Sequence, residues 1–104
     1  MAASFSILEL DVLRWAEARR IIPNSTAMAQ AIKTHEELGE LLSALHRNNQ
    51  EEIADAYGDI LVTLLIGADL AGLNLTDCLQ SAYDQIKHRK GTLREDGVFI
   101  KESA

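Results

Sequence analysis

Six acidic residues in two short clusters are the part of this sequence best suited to chemistry. The first cluster is Glu36, Glu37 and Glu40, and the second is Glu52, Asp55 and Asp59. On a helix that turns about 100° per residue, Glu36 and Glu40 lie about 40° apart, with Glu37 about 60° beyond Glu40. Glu36 and Glu40 are therefore expected to border the apolar side of their helix, near Ile32. The same arithmetic confines Glu52, Asp55 and Asp59 to an arc of roughly 60°, in line with Val62 and Ile66. Two carboxylates about 4 Å apart near a protein surface repel by about 4 kcal/mol at an effective dielectric of 20. Apart from Lys33, no lysine or arginine interleaves with either cluster at the usual helical pairing distance. A divalent cation is the natural partner of such a set. Oxygen donors with no histidine among them favour Mg²⁺ or Mn²⁺ over zinc. Two ions held this way can bridge phosphates and activate a water.

The elements that must position these carboxylates are helical. Apolar residues recur at Ile7, Leu10, Leu13 and Ala16 or Ala18, predicting a first helix from about Ser6 to Arg20. Ile22-Pro23-Asn24-Ser25 breaks it, and Asn24, Ser25 or Thr26 can cap a second helix from about Ala27 to Arg47. Met28, Ala31, Ile32, His35, Leu38, Gly39, Leu42 and Leu45 line one side of that helix. The connection Asn48-Asn49-Gln50 is so short that the third helix, from about Glu51 to Ala71, must fold back antiparallel. The hairpin brings the two acidic faces together. Residues Ile60–Ile66 are apolar nearly all round, which predicts a helix wrapped by protein on every side, with a second subunit completing the wrap. Gly72 ends that helix, and Asn74 or Thr76 can cap a fourth from about Asp77 to Arg89. Past Gly91 the Asp96-Gly97 pair marks a small hairpin or ordered tail.

The 104 residues suit one all-α domain, an antiparallel bundle of about four helices with an oligomeric core. A net charge of −6 gives no general attraction for nucleic acid or anionic lipid, so neither is an expected partner. The chain shows no signal-peptide pattern and no membrane-length apolar run, and a cytoplasmic location is the expectation. Cys78 is the sole cysteine and reads as a small buried apolar residue. His35, His46 and His88 have no ligand or triad spacing, and Glu51 reads as solvated.

The run Glu36-Glu37-Leu38-Gly39-Glu40, followed on the next helix by Asp55-Ala-Tyr-Gly-Asp59, resembles the MazG-like all-α nucleoside triphosphate pyrophosphohydrolases. Their pattern is Glu-Glu-x-x-Glu and then Glu-x-x-Asp. The similarity extends to Trp15-Ala-Glu-Ala-Arg19, to Gln30 and Lys33 ahead of the glutamates, to Ala82–Gly91 with its Lys87-His-Arg-Lys-Gly91 ending, and to Gly97–Glu102. One position departs. With Asp59 as the final aspartate, the preceding glutamate belongs at position 56, which is Ala56. Either Asp55 takes that role, or Glu52-Ile-Ala-Asp55 is itself the motif one turn earlier; the Gly58-Asp59 pair and the distance to Gly72 favour the former.

The resemblance implies hydrolysis of a nucleoside triphosphate to monophosphate and pyrophosphate by a metal-activated water, in a dimer or tetramer, with Mg²⁺ or Mn²⁺ as cofactor. It implies Glu36, Glu37, Glu40, Asp55 and Asp59 as metal ligands or water-orienting groups, with Glu52 a further candidate. Of these, Glu36, Glu37, Glu40 and Asp59 are the catalytic set. Lys33, Lys87, Arg89 and Lys90 become candidates for phosphate contact, and Trp15 for stacking on a base. The rival reading is a helical assembly module that keeps the fold without the chemistry and uses its acidic face for docking.

Overall fold

The computed structural model describes residues 3–102. The chain forms helices α1 (Phe5–Ala18), α2 (Ile21–Asn24), α3 (Ala27–His46), α4 (Gln50–Leu70) and α5 (Leu75–Ile86). An antiparallel ribbon of β1 (Gly91–Leu93) and β2 (Phe99–Lys101) follows, with Thr92 opposite Ile100. The expected all-α bundle with a short terminal hairpin is therefore what forms. The single turn α2 contains the cis Ile22–Pro23 bond.

Each long helix starts on a side-chain cap, which satisfies an otherwise orphaned backbone N–H. Ser4 accepts from Ile7 N, Thr26 from Ala29 N, Asn49 from Glu52 N and Asn74 from Asp77 N. Of the alternatives open in the sequence, Thr26 and Asn74 are the caps. Gly72, at φ +79°, closes α4 in a Schellman turn: Leu73 N donates to the Ala68 carbonyl and Gly72 N to that of Asp69.

Helices α3 and α4 form the central antiparallel hairpin, with α1 lying against α4 and α5 touching both α1 and α4. The seam of the hairpin is made by Leu41 and Ala44 on one side and Ala56, Leu65 and Ile66 on the other. Toward its open end the Thr34 hydroxyl lies 2.8 Å from that of Thr63, which itself donates to the Ile60 carbonyl. A Cβ at Gly67 would come within 3.2 Å of Gln30 Cβ, so the helices approach closely there.

This seam corrects the apolar side assigned to α3. The residues facing α4 are Gln30, Thr34, Glu37, Leu41 and Ala44, whereas Met28 (70% exposed), Ile32, Leu38, Leu42 and Leu45 face outward within one chain. Both stripes have helical spacing, and the hairpin takes the one with small and polar members because only small residues permit close approach. On α4, Leu61 and Leu64 are likewise exposed, so a single chain does not wrap Ile60–Ile66 on every side. On α1, Ile7 and Leu10 face outward and the inward positions are Glu9 and Ala16.

Glu9 is the fastening of α1 to α5. It is buried, and its carboxylate accepts from Asn74 Nδ2 (2.9 Å), Leu75 N (3.0 Å) and Thr76 Oγ1 (2.9 Å). Two of these donors belong to the first turn of α5, where a negative charge also complements the helix dipole. The terminal ribbon is clasped separately by Arg94 on Asp96. That contact, with Val98 N, holds the Asp96 carboxyl below the usual carboxylate range.

Glu9→Ala leaves three donors unpartnered and should lower stability by about 2–3 kcal/mol. Urea denaturation measures this, with Glu17→Ala on the exposed side of α1 expected to stay within about 0.5 kcal/mol. Equal losses in the two variants would refute the fastening role.

Candidate functional site

The acidic cleft is built from two facing stripes with one spacing. Glu40, Ser43, Ala44 and Arg47 on α3 and Glu52, Asp55, Ala56 and Asp59 on α4 line a space of about 380 Å³. Each stripe runs i, i+3, i+4, i+7, which is a single face of a helix. The space exists because the middle positions carry small side chains, Ser43, Ala44 and Ala56, between larger charged ones. Ala56, the position where a glutamate was expected, is buried and lines the cleft directly, between Asp55 and Asp59.

Of the six sequence candidates, the structure brings Glu40, Glu52, Asp55 and Asp59 into this cleft. Glu36 is not among them: its side chain is 62% exposed and its Oε2 accepts from Lys33 Nζ at 3.3 Å. The expectation that Glu36 borders the packed face is not met. Glu37 is the buried one, because the α3 face toward α4 is set by Thr34, Leu41 and Ala44. Its Oε1 lies 3.6 Å from Lys33 Nζ, and its buried Oε2 has no hydrogen-bond partner among the described residues. Glu36 and Glu37 together raise the Lys33 ammonium above its ordinary range, first through the hydrogen bond from Lys33 to Glu36.

Sequence spacing missed Arg47. Its guanidinium pairs with Glu52 and donates to Ser43 Oγ at 2.6 Å. The Arg47–Glu52 pair spans the turn between two helices, so the i, i+4 rule within one helix could not reveal it; the shortness of the Asn48-Asn49 link was the available signal. Glu52 is thereby partly neutralised, while Glu40, Asp55 and Asp59 have no ion pair among the described residues.

A second, apolar cavity of about 390 Å³ adjoins the acidic one. Leu8, Asp11, Val12 and Trp15 of α1 and Asp59 and Val62 of α4 line it, so Asp59 belongs to both. Trp15 is not a core residue of the chain: it is 46% exposed, and the Arg19 guanidinium lies 5.6 Å from its ring centroid. The remaining basic candidates are elsewhere. Lys87 pairs with Asp84 at 3.4 Å, while Arg89 and Lys90 line a cleft with Thr92, Phe99 and Lys101 of the ribbon. None of the three lines the acidic cleft.

The donor set fits a divalent cation. It offers hard oxygens only, carboxylates without a balancing cation, and a buried carboxylate oxygen with nothing bound to it, a state that costs free energy unless something compensates. As arranged, no three of the described acidic, histidine or cysteine side chains stand close enough together to grip one ion. Mutual repulsion spreads carboxylates that have no cation between them, so binding an ion requires side-chain rotation into the cleft.

The fold and cleft define the class: an all-helical protein whose central hairpin frames a cleft between two facing acidic stripes. The model of the phosphoribosyl-ATP pyrophosphohydrolase family matches residues 16–85, and the chain belongs to that family. The chain is also similar to a MazG-like pyrophosphohydrolase of cyanophage S-2L, whose structure was solved bound to dGDP and three catalytic Mn²⁺ ions per active site. That structure superposes with a TM-score of 0.75, at 19% identity, over 98% of this chain and 100% of that one. An uncharacterized 18.2 kDa protein from the rep-hol intergenic region of Haemophilus phage HP1 is 39% identical over 56 residues. The match spans 54% of this chain and about a third (34%) of that relative's length. The resemblance to MazG-like proteins therefore holds for family and fold.

Glu37→Gln removes a buried charge with an unpartnered oxygen. The metal-free protein should gain stability on the order of 1 kcal/mol, or several degrees in Tm, and lose any rise in Tm caused by Mn²⁺ or Mg²⁺. Differential scanning fluorimetry with and without the ion checks both. A Glu37→Gln protein that is less stable without metal yet keeps the full shift would show that Glu37 serves packing instead.

Proposed function

We propose that the protein is a metal-dependent nucleoside triphosphate pyrophosphohydrolase, releasing nucleoside monophosphate and pyrophosphate, with a role in clearing surplus or aberrant nucleotides in the cytoplasm. The observation that carries the reading is the cleft lined by Glu40, Asp55 and Asp59, with the buried, unpartnered Glu37 oxygen one helical turn earlier on α3. Family membership supports the pyrophosphohydrolase chemistry. The Mn²⁺ and dGDP in the cyanophage protein support a divalent ion and a nucleotide as ligands here.

Glu37, Glu40, Asp55 and Asp59 would hold Mg²⁺ or Mn²⁺, with Glu52 restrained by Arg47. Glu36 would join by rotating away from Lys33. The ion supplies charge neutralisation on the phosphates and lowers the pKa of a bound water. The chain's own groups have separate tasks. Arg47 lines the cleft but is paired with Glu52, so Lys33, held protonated by Glu36 and Glu37 two turns before Glu40, would meet a phosphate oxygen. Trp15 would stack on the base from the adjoining apolar cavity, which shares Asp59 with the cleft. Lys87, Arg89 and Lys90 would reach a phosphate only in a neighbouring subunit's cleft.

That last role agrees with the outward apolar stripe of α3. Met28, Ile32, Leu38, Leu42 and Leu45, with Leu61 and Leu64 of α4, leave a large apolar surface on one chain, of the sort that marks a protein interface. Gly39 and Gly58 carry no neighbour within contact of a Cβ, so this face has flat places where another helix can come close. A homodimer or homotetramer is the proposed unit, with no nucleic acid or membrane as partner; no single described helix is long and apolar enough to cross a membrane.

The rival reading, a non-catalytic assembly module with an acidic docking face, draws on Ala56, because a glutamate is missing from the cleft there. Asp55 decides between them. If it substitutes for the missing ligand, Asp55→Ala and Asp59→Asn should each cut turnover of a nucleoside triphosphate at least 100-fold, at unchanged Tm without metal. A nucleotide panel assayed with Mg²⁺ should yield pyrophosphate. Orthophosphate as the product would refute the cleavage position, and no turnover of any nucleotide together with no metal-induced Tm shift would favour the module. The assembly is tested apart from chemistry: Leu42→Glu should convert the particle to monomers in light scattering, and an unchanged mass would remove α3 from the interface.

A further inference from the structure

Trp15 and Asp59 line a cavity with Leu8, Val12 and Val62, and its only other charged group is Asp11. Leu8, Asp11, Val12 and Trp15 are spaced i, i+3, i+4, i+7, so one face of α1 presents an aromatic ring, two aliphatic side chains and a carboxylate to the same space. Asp11 makes no hydrogen bond or ion pair with any described residue. At about 390 Å³ the cavity falls in the usual range for small ligands, roughly 300–1,000 Å³. Apolar walls with one convergent polar group are how such sites bind a flat heterocycle and fix its orientation.

Resting on the reading that the ligand is a nucleotide, we propose that Asp11 selects its base, and that the selected base is guanine. An ionised carboxylate only accepts hydrogen bonds, through two oxygens side by side. The base edge that complements it presents two adjacent N–H donors. Guanine has this pair in its N1–H and its exocyclic amino group. Adenine and cytosine each set one amino donor beside a ring-nitrogen acceptor, which a carboxylate repels, and uracil and thymine flank their one N–H with carbonyl oxygens. Asp59 lines the acidic cleft as well, whereas Asp11 lines this cavity alone, so the phosphates would extend toward Asp59 and the base would meet Asp11. The neighbouring Arg19 guanidinium over Trp15 leaves the ring as a cation-supported stacking surface.

Trp15 is the sole tryptophan, so its fluorescence reports the cavity directly. GMP, AMP, CMP and UMP are titrated into the full chain with Mg²⁺ present, using wild type and Asp11→Asn. Wild type should bind GMP about 10-fold or more tighter than the other three, as a bidentate base contact discriminates. Asparagine offers one acceptor and one donor, so Asp11→Asn should weaken GMP by about 10-fold and strengthen AMP or CMP. A wild type that does not favour GMP overturns the proposal, and so does an Asp11→Asn loss equal for all four bases, which is the mark of a sugar contact or bulk charge. Quenching by none of the four removes the base from this cavity altogether. That outcome is separable from failure of the metal cleft, which the metal-induced Tm shift reads independently.

Discussion

The structure turns on carboxylates held together at the seam of a helical hairpin. Helices α3 and α4 approach closely because Ala44, Ala56 and Gly67 keep their interface thin, and Leu41, Leu65 and Ile66 fill what remains. Folding therefore sets Glu40, Asp55 and Asp59 around one cleft, with Glu37 buried one turn earlier on α3. A protein selected for stability alone would place neutral or paired residues there. One carboxylate oxygen, that of Glu37, is buried and unpartnered, and such an atom costs free energy unless something compensates it.

The surrounding elements follow from that constraint. Lys33 and Arg47 stand at the two ends of the acidic stripe of α3, one on Glu36 and Glu37, the other on Glu52. They reduce the repulsion at its edges and leave the centre anionic. Helix α1 closes one flank of α4 and supplies a dry cavity next to the charged one, with Asp59 shared between them. A wet, charged compartment abutting an apolar one is what a nucleotide requires, since its phosphates and its base have opposite solvation preferences. Buried Glu9 then ties α1, which carries one cavity wall, to the start of α5.

A single chain leaves much apolar surface in water. Some of it lies on α3 and α4, and more on α5, where Leu79, Tyr83 and Ile86 are exposed. Apolar surface of this extent is of the sort that marks protein interfaces. The acidic cleft is contained within one hairpin, whereas the basic residues of the tail do not line it.

Much of this protein is local, and the local part was readable. Thr26 and Asn74 were among the caps the sequence offered and Gly72 ends α4, the antiparallel hairpin follows from a link too short for anything else, and the Asp96-Gly97 turn made the ribbon. Glu40, Glu52, Asp55 and Asp59 could be placed on facing stripes by counting alone. What counting could not do was choose between two apolar stripes on α3. It favoured the larger residues, Ile32, Leu38 and Leu42, and so set Glu36 beside the packed face. The hairpin chose the stripe with Thr34, Leu41 and Ala44, because interhelical distance depends on side-chain size as well as on hydrophobicity. Burial of Glu9 by α5, the Arg47–Glu52 pair and the cavity joining Trp15 to Asp59 are relations between elements. Residue spacing along one helix carries no information about them, and only packing in three dimensions decides them.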